Sequence, residues 1–138
     1  MQKAFTIEQA NRTLPLVRRI VEDLVRQYTR WQERLTASEV AAAGTGDVRL
    51  REAEALQKEV QSLAAEIEGY VEELASLGAE AKAPLDAGLV DFPGEMDGRR
   101  VYLCWRLGEE SILHWHEIDA GFAGRQPLSP SPASAESQ

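Results

Sequence analysis

The chain has 138 residues, of which 43% are hydrophobic and 28% are charged, and its formal net charge is −8. This length and composition fit one folded globular domain, and the chain is too short for two independent cores. The acidic balance disfavours a protein built mainly to bind nucleic acid or an anionic membrane surface. Its single cysteine, Cys104, cannot form an internal disulfide. No apolar leader follows the amino terminus and no apolar run is long enough to span a bilayer, so we expect a cytoplasmic location without membrane insertion.

The amino-terminal region carries the pattern of a long amphipathic helix. The stretch TIEQ, which begins at Thr6, is a capping box and predicts a helix start there. Proline is tolerated in a first helical turn but not deep inside a helix, so we expect a break or kink at Pro15 and a second start capped by Thr13. Apolar residues recur at alternating steps of three and four, which is typical of a helix that packs lengthwise on another. These seam residues are Leu14, Val17, Val21, Leu24, Tyr28, Trp31 and Leu35.

A second helix of the same kind follows a connection that contains two glycines. The stretch AAAGTGD, residues 41–47, supplies a tight turn and offers Asp47 as the next helix cap. Gly78 is well placed to end this helix in the left-handed conformation. The two helices together predict an antiparallel hairpin over about residues 7–77, roughly 35 Å long. The seam residues of the second helix are Leu56, Val60, Leu63, Ile67, Tyr70, Leu74 and Leu77.

The flanks of the two predicted helices carry opposite charges. From Arg12 to Arg34 six arginines accompany three carboxylates, whereas from Asp47 to Glu73 eight carboxylates accompany three bases. Large seam residues such as Trp31 favour dimerisation of two hairpins into a four-helix bundle, so we expect a homo-oligomer that forms through the hairpin. The arginine-rich flank suggests nucleic-acid binding, but the acidic helix beside it disfavours that partner.

After Gly78 the apolar period changes from helical to alternating. The stretches GLVDF, VYLCWRL and SILHWHEI are separated by PGEMDG and GEE, so they predict antiparallel strands joined by tight turns. AEAKA is a candidate edge strand. The predicted fold class is therefore α+β, a long antiparallel helical hairpin followed by a small antiparallel β-sheet over about residues 79–119. Residues 1–128 form a single predicted domain, and the proline- and serine-rich residues 129–138 are expected to be a disordered tail.

Alternation along the strands assigns side chains to the two faces of the sheet. One set of apolar residues falls on the face expected to pack on the helices, which turns Asp91 and Cys104 to the opposite face. This set consists of Val90, Phe92, Val101, Leu103, Trp105 and Leu107.

Two strand registers remain open for the last predicted hairpin. If Leu113 and Trp115 join the core, Cys104 lies beside His114 or His116 and the three share a face. A two-residue turn at residues 109–110 would instead pair Cys104 with Trp115 and send the cysteine and the histidines to opposite faces.

In the first register, Asp91, Cys104, His114 and His116 form a tetrad that suits one metal ion. Thiolate sulfur, imidazole nitrogen and carboxylate oxygen are all ligands that zinc accepts. The HxH pair puts two imidazoles on one side of a strand, but the chain lacks the paired CxxC spacing of structural zinc sites. The alternative interpretation is that Cys104 packs as a small buried hydrophobe and that the histidines are half-buried polar residues with no catalytic or metal-binding role.

No other motif indicates a particular reaction, since the nucleophile elbow, the Walker loop and the dinucleotide fingerprint are all absent from the sequence. The first functional hypothesis is a non-enzymatic, self-associating interaction or structural protein of the cytoplasm. The alternative is a zinc-binding protein whose site lies on the C-terminal sheet. In its more specific form, this protein is a metal-dependent hydrolase. Metal content is the property that separates the two hypotheses.

Four stretches taken together resemble a known family. They are FTIEQANRTLPLVRRIVEDL, GLVDFP, GRRVYLCWRLGE and WHEIDAGFAGRQPL. The sequence is similar to an uncharacterised bacterial family, domain-of-unknown-function family 2203, from Phe5 to about Leu128. This resemblance implies a small bacterial protein with a helical hairpin and a C-terminal sheet. It assigns no activity, cofactor or site residue.

Overall fold

The computed structural model describes residues 4–128, in which two long helices precede a five-stranded antiparallel sheet. The predicted α+β fold of a helical hairpin followed by a small antiparallel sheet is confirmed. The expected disordered tail, residues 129–138, lies outside the described residues. The helices are α1 (Ile7–Ala42) and α2 (Asp47–Ser76). The strands, which lie in the sheet in chain order, are β1 (Glu80–Lys82), β2 (Leu89–Met96), β3 (Arg99–Arg106), β4 (His114–His116) and β5 (Gln126–Pro127).

The two helices pack together along the predicted apolar seams. The Thr6 hydroxyl accepts a hydrogen bond from the backbone N–H of Gln9 at 3.0 Å, and the Gln9 side chain accepts one from the Thr6 N–H, so the capping box is confirmed. Gly78 has a φ of +89° and directly follows the residue that caps α2. Every seam residue is buried or half-buried. Between the helices, Arg34 lies 3.6 Å from Glu59, so the opposite charges of the two flanks do meet.

Three expectations for the helices are wrong: the break at Pro15, the hairpin length of roughly 35 Å and the cap at Asp47. Helix α1 continues through Pro15 without a second start at Thr13, and its 36 residues make it about 54 Å long at 1.5 Å per residue. Buried seam residues lie on both sides of the proline, and their packing outweighs the one backbone hydrogen bond that proline removes. The cap of α2 is Gly46, so Asp47 is instead the first helical residue, where a carboxylate favours the positive end of the helix. The buried residues around the proline are Ala10, Leu14 and Val17.

The inner face of the sheet packs on α1 and completes the hydrophobic core. The indole nitrogen of Trp105 donates to the Glu109 carbonyl at 2.9 Å, so its polar atom is satisfied inside this core. The alternation of the strands therefore predicts the inner face correctly. The strand residues of this face that are at most 2% exposed are Val90, Phe92, Val101, Leu103 and Trp105.

The second strand is longer than predicted. Strand β2 continues to Met96, so only Asp97 and Gly98 form the turn that PGEMDG was expected to supply. Pro93 is tolerated within it because it lies beyond the last pair that β1 forms with β2. The Pro93 carbonyl accepts a hydrogen bond from the Phe5 N–H at 2.7 Å, so the segment before α1 covers this part of the strand.

The predicted strand SILHWHEI is wrong over most of its length, because β4 has only three residues. Leu113 is 57% exposed and Ile112 is 1% exposed, which reverses the expected facing of these two residues, whereas Trp115 lies in the core as expected. The Ile112 N–H donates to the Asn11 side chain at 2.8 Å, and this bond to α1 fixes Ile112 against the helix before β4 begins. Strand β5 pairs with β4 and extends the sheet beyond the predicted boundary at residue 119.

Neither helix in residues 4–128 combines the length and the apolar character that crossing a membrane requires.

Candidate metal centre

The register of the central strands brings the predicted ligands to the outer face of the sheet. Asp91 pairs with Cys104 across β2 and β3, and Cys104 pairs with His114 across β3 and β4. The competing pairing of Cys104 with Trp115 does not occur, because Trp115 pairs with Leu103. The cysteine and both histidines therefore lie on one face.

Three of the four predicted ligands converge. Asp91, Cys104 and His116 each offer one ligand atom, and the three atoms all lie within 4.8 Å of one another. These residues, which we call the triad, are only 4%, 1% and 2% exposed. The structure does not bring His114 into the triad, since its Nδ1 lies 3.9 Å from Oε2 of Glu109 instead.

The hydrogen bonds of His116 fix how its ring faces Asp91. Its Nδ1 lies 2.7 Å from the backbone carbonyl oxygen of Glu117, so this nitrogen carries a hydrogen and donates it. Its Nε2 lies 3.0 Å from Oδ1 of Asp91. In the neutral ring Nε2 then presents a lone pair, and an ionised carboxylate presents only lone pairs as well. At 3.0 Å the two atoms therefore share one hydrogen, and a metal ion that replaced this hydrogen would bind the same two lone pairs.

Cys104 is a protonated thiol when the triad holds no metal. Burial, followed by the charge of Asp91, raises the pKa of this thiol to about 12. Burial also raises the pKa of Asp91, although the hydrogen bond with His116 opposes the shift. Both ring nitrogens of His116 already have partners, and a thiol with so high a pKa is a poor nucleophile. The arrangement therefore does not suit a cysteine–histidine catalytic pair, whereas a metal ion would deprotonate the thiol outright.

The donor set fits zinc. Zinc accepts one sulfur, one imidazole nitrogen and one carboxylate oxygen, with bonds of about 2.0–2.3 Å that place the ligand atoms about 3.3–3.8 Å apart. The triad atoms lie within 4.8 Å of one another, so coordination requires the widest pair to close by up to about 1.5 Å. The Nε2–Oδ1 pair, at 3.0 Å, would open slightly. His116 already has the outer hydrogen bond, to the Glu117 carbonyl, that orients metal-binding histidines.

A cleft of about 300 Å³ lies over the triad. The triad forms its floor, so a metal ion held there would keep one coordination position toward the cleft. The walls come from the strands and from the loop after β4, and they are mostly apolar. The wall residues include Leu89, Tyr102, Ile118 and Phe122.

The loop that carries Phe122 is anchored by an ion pair that the sequence did not predict. Arg125 donates to both carboxylate oxygens of Glu109, at 2.8 and 2.9 Å, and to the Cys104 carbonyl at 3.3 Å. Its guanidinium also lies 4.5 Å from the centre of the Phe122 ring. Burial favours the neutral acid, but the bonds and charge of Arg125 outweigh it and hold the pKa of Glu109 below its usual value. No local sequence pattern indicates this pair, because Glu109 and Arg125 are 16 residues apart in the chain.

The chain belongs to the uncharacterized conserved protein family DUF2203, whose family model matches residues 3–128. This match confirms the family resemblance that the sequence motifs carry. No curated protein and no solved structure matches the chain.

Proposed function

We propose that this protein binds zinc, or a similar divalent transition metal, through Asp91, Cys104 and His116. The observation that carries the proposal is the buried triad, in which three different ligand types lie within 4.8 Å of one another. Burying an acid and a histidine costs free energy, and apolar residues of similar volume would stabilise the same face at least as well. A metal-binding role accounts for the residues that core packing alone does not explain.

The position of the triad under a cleft favours a functional metal over a purely structural one. Structural zinc sites are closed by four protein ligands, whereas catalytic sites keep three and leave one position open. A zinc ion held in this way supplies Lewis-acid chemistry of the kind that hydrolases use. The finer form of the proposal is therefore a metal-dependent hydrolase, in which Asp91, Cys104 and His116 hold the ion. A cytoplasmic location belongs to the same proposal, because a reducing compartment keeps Cys104 available as a ligand.

The direct test is elemental analysis of protein purified without an affinity tag or a chelator. We expect about one zinc per chain, the value for a single site. The variants Cys104→Ser, His116→Ala and Asp91→Asn are expected to lose the metal. His114→Ala is the matched control, because His114 lies on the same strand and outside the triad, and it is expected to retain the metal.

Two results would overturn the proposal. The first is a protein that stays metal-free after reconstitution with zinc and with cobalt(II). The second is a His114→Ala variant that loses as much metal as His116→Ala while both variants keep the circular dichroism spectrum of the parent. Cobalt(II) adds an independent readout, because a thiolate ligand produces a charge-transfer absorption that Cys104→Ser must abolish.

Self-association through the helical hairpin is a second candidate role. Val40, Val48 and Leu50 lie beside the hairpin turn, outside the apolar seams, and are 62%, 73% and 61% exposed. Apolar side chains exposed this far suit a partner surface, and a second copy offers both an acidic and a basic helix. This role is that of a homo-oligomeric interaction protein and requires no chemistry in the cleft.

Sedimentation equilibrium tests the second role. We expect a concentration-dependent oligomer for the parent and a monomer for the double variant Val48→Asp, Leu50→Asp. Leu113→Asp is the control, since Leu113 is similarly exposed, at 57%, but lies beside the sheet. A parent protein that is monomeric at every concentration would remove this role.

A further inference from the structure

The cleft over the triad has a polar floor and largely apolar walls. Its volume of about 300 Å³ lies at the lower end of the range of small-molecule sites. Ile118 is 51% exposed where it lines the cleft. An apolar wall beside a metal-binding floor suits a small ligand with one coordinating end and one apolar end.

The aromatic wall is held in place before any ligand arrives. Phe122 lies near two guanidinium groups, with Arg125 at 4.5 Å and Arg106 at 5.7 Å from the ring centre. Arg125 is itself fixed by its two bonds to Glu109, so the ring has little freedom to collapse into the cleft. A preorganised wall lowers the entropic cost of binding.

The opposite wall supplies a cation. The Lys82 ammonium lies 3.0 Å from Oε1 of Glu80 and 5.0 Å from the centre of the Tyr102 ring. Burial opposes its charge, but the bond to Glu80 outweighs burial and raises the pKa of Lys82, so the group stays charged. An ammonium has three donors, and one bond to Glu80 leaves two for a ligand.

The charges around the cleft limit the charge of that ligand. A divalent ion and Lys82 face the negative charges of the Cys104 thiolate, two aspartates and one glutamate, so the loaded cleft has no excess positive charge; the carboxylates are those of Asp91, Asp119 and Glu80. A dianion such as phosphate therefore gains little there. A single negative charge can still lie between the ion and Lys82, the two cations of the site.

We propose that the metal-loaded cleft binds a small apolar monocarboxylate. The carboxylate takes the open position of the metal beside Lys82, and the apolar body contacts Phe122 and Ile118. This inference rests on the proposed metal-binding function and names the class of ligand that the same site takes.

The test is a titration of the cobalt(II)-loaded parent protein with benzoate, followed by the visible absorption of the cobalt. Benzoate is expected to shift these bands and to bind about tenfold more tightly than acetate, which lacks the apolar body. Benzamide, its uncharged analogue, and phosphate are expected to leave the bands unchanged at the same concentrations.

Two variants separate the parts of the site. Phe122→Ala is expected to weaken benzoate binding about tenfold and to leave acetate binding as it is. Lys82→Gln is expected to weaken both carboxylates, with Lys58→Gln on α2 as its matched control. The unliganded cobalt spectrum of each variant must match that of the parent, which shows that the metal site is intact.

The outcomes distinguish the two levels of the proposal. If cobalt binds with its thiolate absorption but benzoate changes nothing, the ligand class is wrong and the metal-binding function stands. Equal affinity for acetate and benzoate, or equal affinity for phosphate, also overturns the ligand class. If cobalt does not bind, the metal-binding function and this inference both fall.

Discussion

The two faces of the sheet bury different kinds of side chain. The inner face buries Phe92 and Trp105 completely, and their packing on α1 explains why. The outer face buries Asp91, Cys104 and His116 nearly as deeply, at 4%, 1% and 2% exposure. Apolar burial stabilises a fold by roughly 25 cal/mol per Å², whereas burial of polar groups costs free energy unless they find partners. The comparison indicates that packing explains the burial of the inner face, whereas the buried polar groups of the outer face are the basis of the proposed metal site.

The largest expected effect comes from the inner face. Phe92→Ala removes a fully buried ring and should lower the free energy of unfolding by about 3–5 kcal/mol. Urea denaturation measures the loss. The control Leu113→Ala, at a position that is 57% exposed, should stay within about 0.5 kcal/mol of the parent. A loss below about 1 kcal/mol for Phe92→Ala would contradict the assignment of this face to the core.

The outer face should respond differently to single and to paired changes. In metal-free protein, Asp91→Asn replaces a buried charge-assisted bond to His116 and should cost about 1–3 kcal/mol. The double variant Asp91→Leu, His116→Phe should be close to neutral or stabilising, because apolar pairs often replace buried ion pairs without loss. The same double variant should bind no zinc. A double variant that is less stable than Asp91→Asn would mean that this face, too, is built for stability.

The pH dependence of zinc affinity should report the loss of the Cys104 thiol proton when zinc binds. Because burial raises the pKa of this thiol to about 12, zinc must displace its proton at every lower pH. Raising the pH removes the competing proton, so this group alone should raise the apparent affinity about tenfold per pH unit. Competition with a chromophoric chelator between about pH 6 and pH 8 measures the slope. Cys104→Ser should bind more weakly with a slope smaller by about one, and an unchanged slope would exclude Cys104 as a ligand.

The smallest expected effect lies at the ion pair that anchors the wall of the cleft. Arg125 holds the pKa of Glu109 below its ordinary value of 4.5, against the effect of burial. A lowered folded-state pKa gives stability that is complete above the unfolded value and is lost as the pH falls through the folded value. Glu109→Gln should therefore be less stable than the parent by about 1 kcal/mol at neutral pH, and the gap should close in acid.

The matched control for the ion pair is Glu54→Gln, at an exposed position on α2. Thermal unfolding of both variants and the parent across the acid range measures the difference. A gap between Glu109→Gln and the parent that persists at low pH would show that its origin is not the charge of Glu109.

The features that follow from local periodicity were predictable. The helical seams and the inner face of β3 follow from the spacing of apolar residues, which can be read directly from the sequence. Pro15 is the exception, because its local cost predicts a break while the packing of Leu14 and Val17 keeps the helix continuous. Local propensity therefore does not determine helix boundaries where tertiary packing outweighs its cost.

The candidate site was predictable only as one of two alternatives. Alternation placed Asp91 and Cys104 on one face, but the register of β4 depends on the connection before it. That connection is fixed by a long-range bond from the Ile112 N–H to the Asn11 side chain, which no local pattern displays. The ring orientation of His116 and the pairing of Arg125 with Glu109 likewise arise from how separate segments meet in space.

X-ray absorption spectroscopy at the zinc edge, on protein reconstituted with one equivalent of zinc, tests the central claim most directly. The account predicts one sulfur at about 2.3 Å together with nitrogen and oxygen ligands at about 2.0–2.2 Å, one of them an imidazole. In Cys104→Ser the sulfur contribution should vanish. A spectrum of the parent that shows only nitrogen and oxygen ligands would contradict the proposed metal centre. Complete removal of the zinc by dialysis would also contradict it.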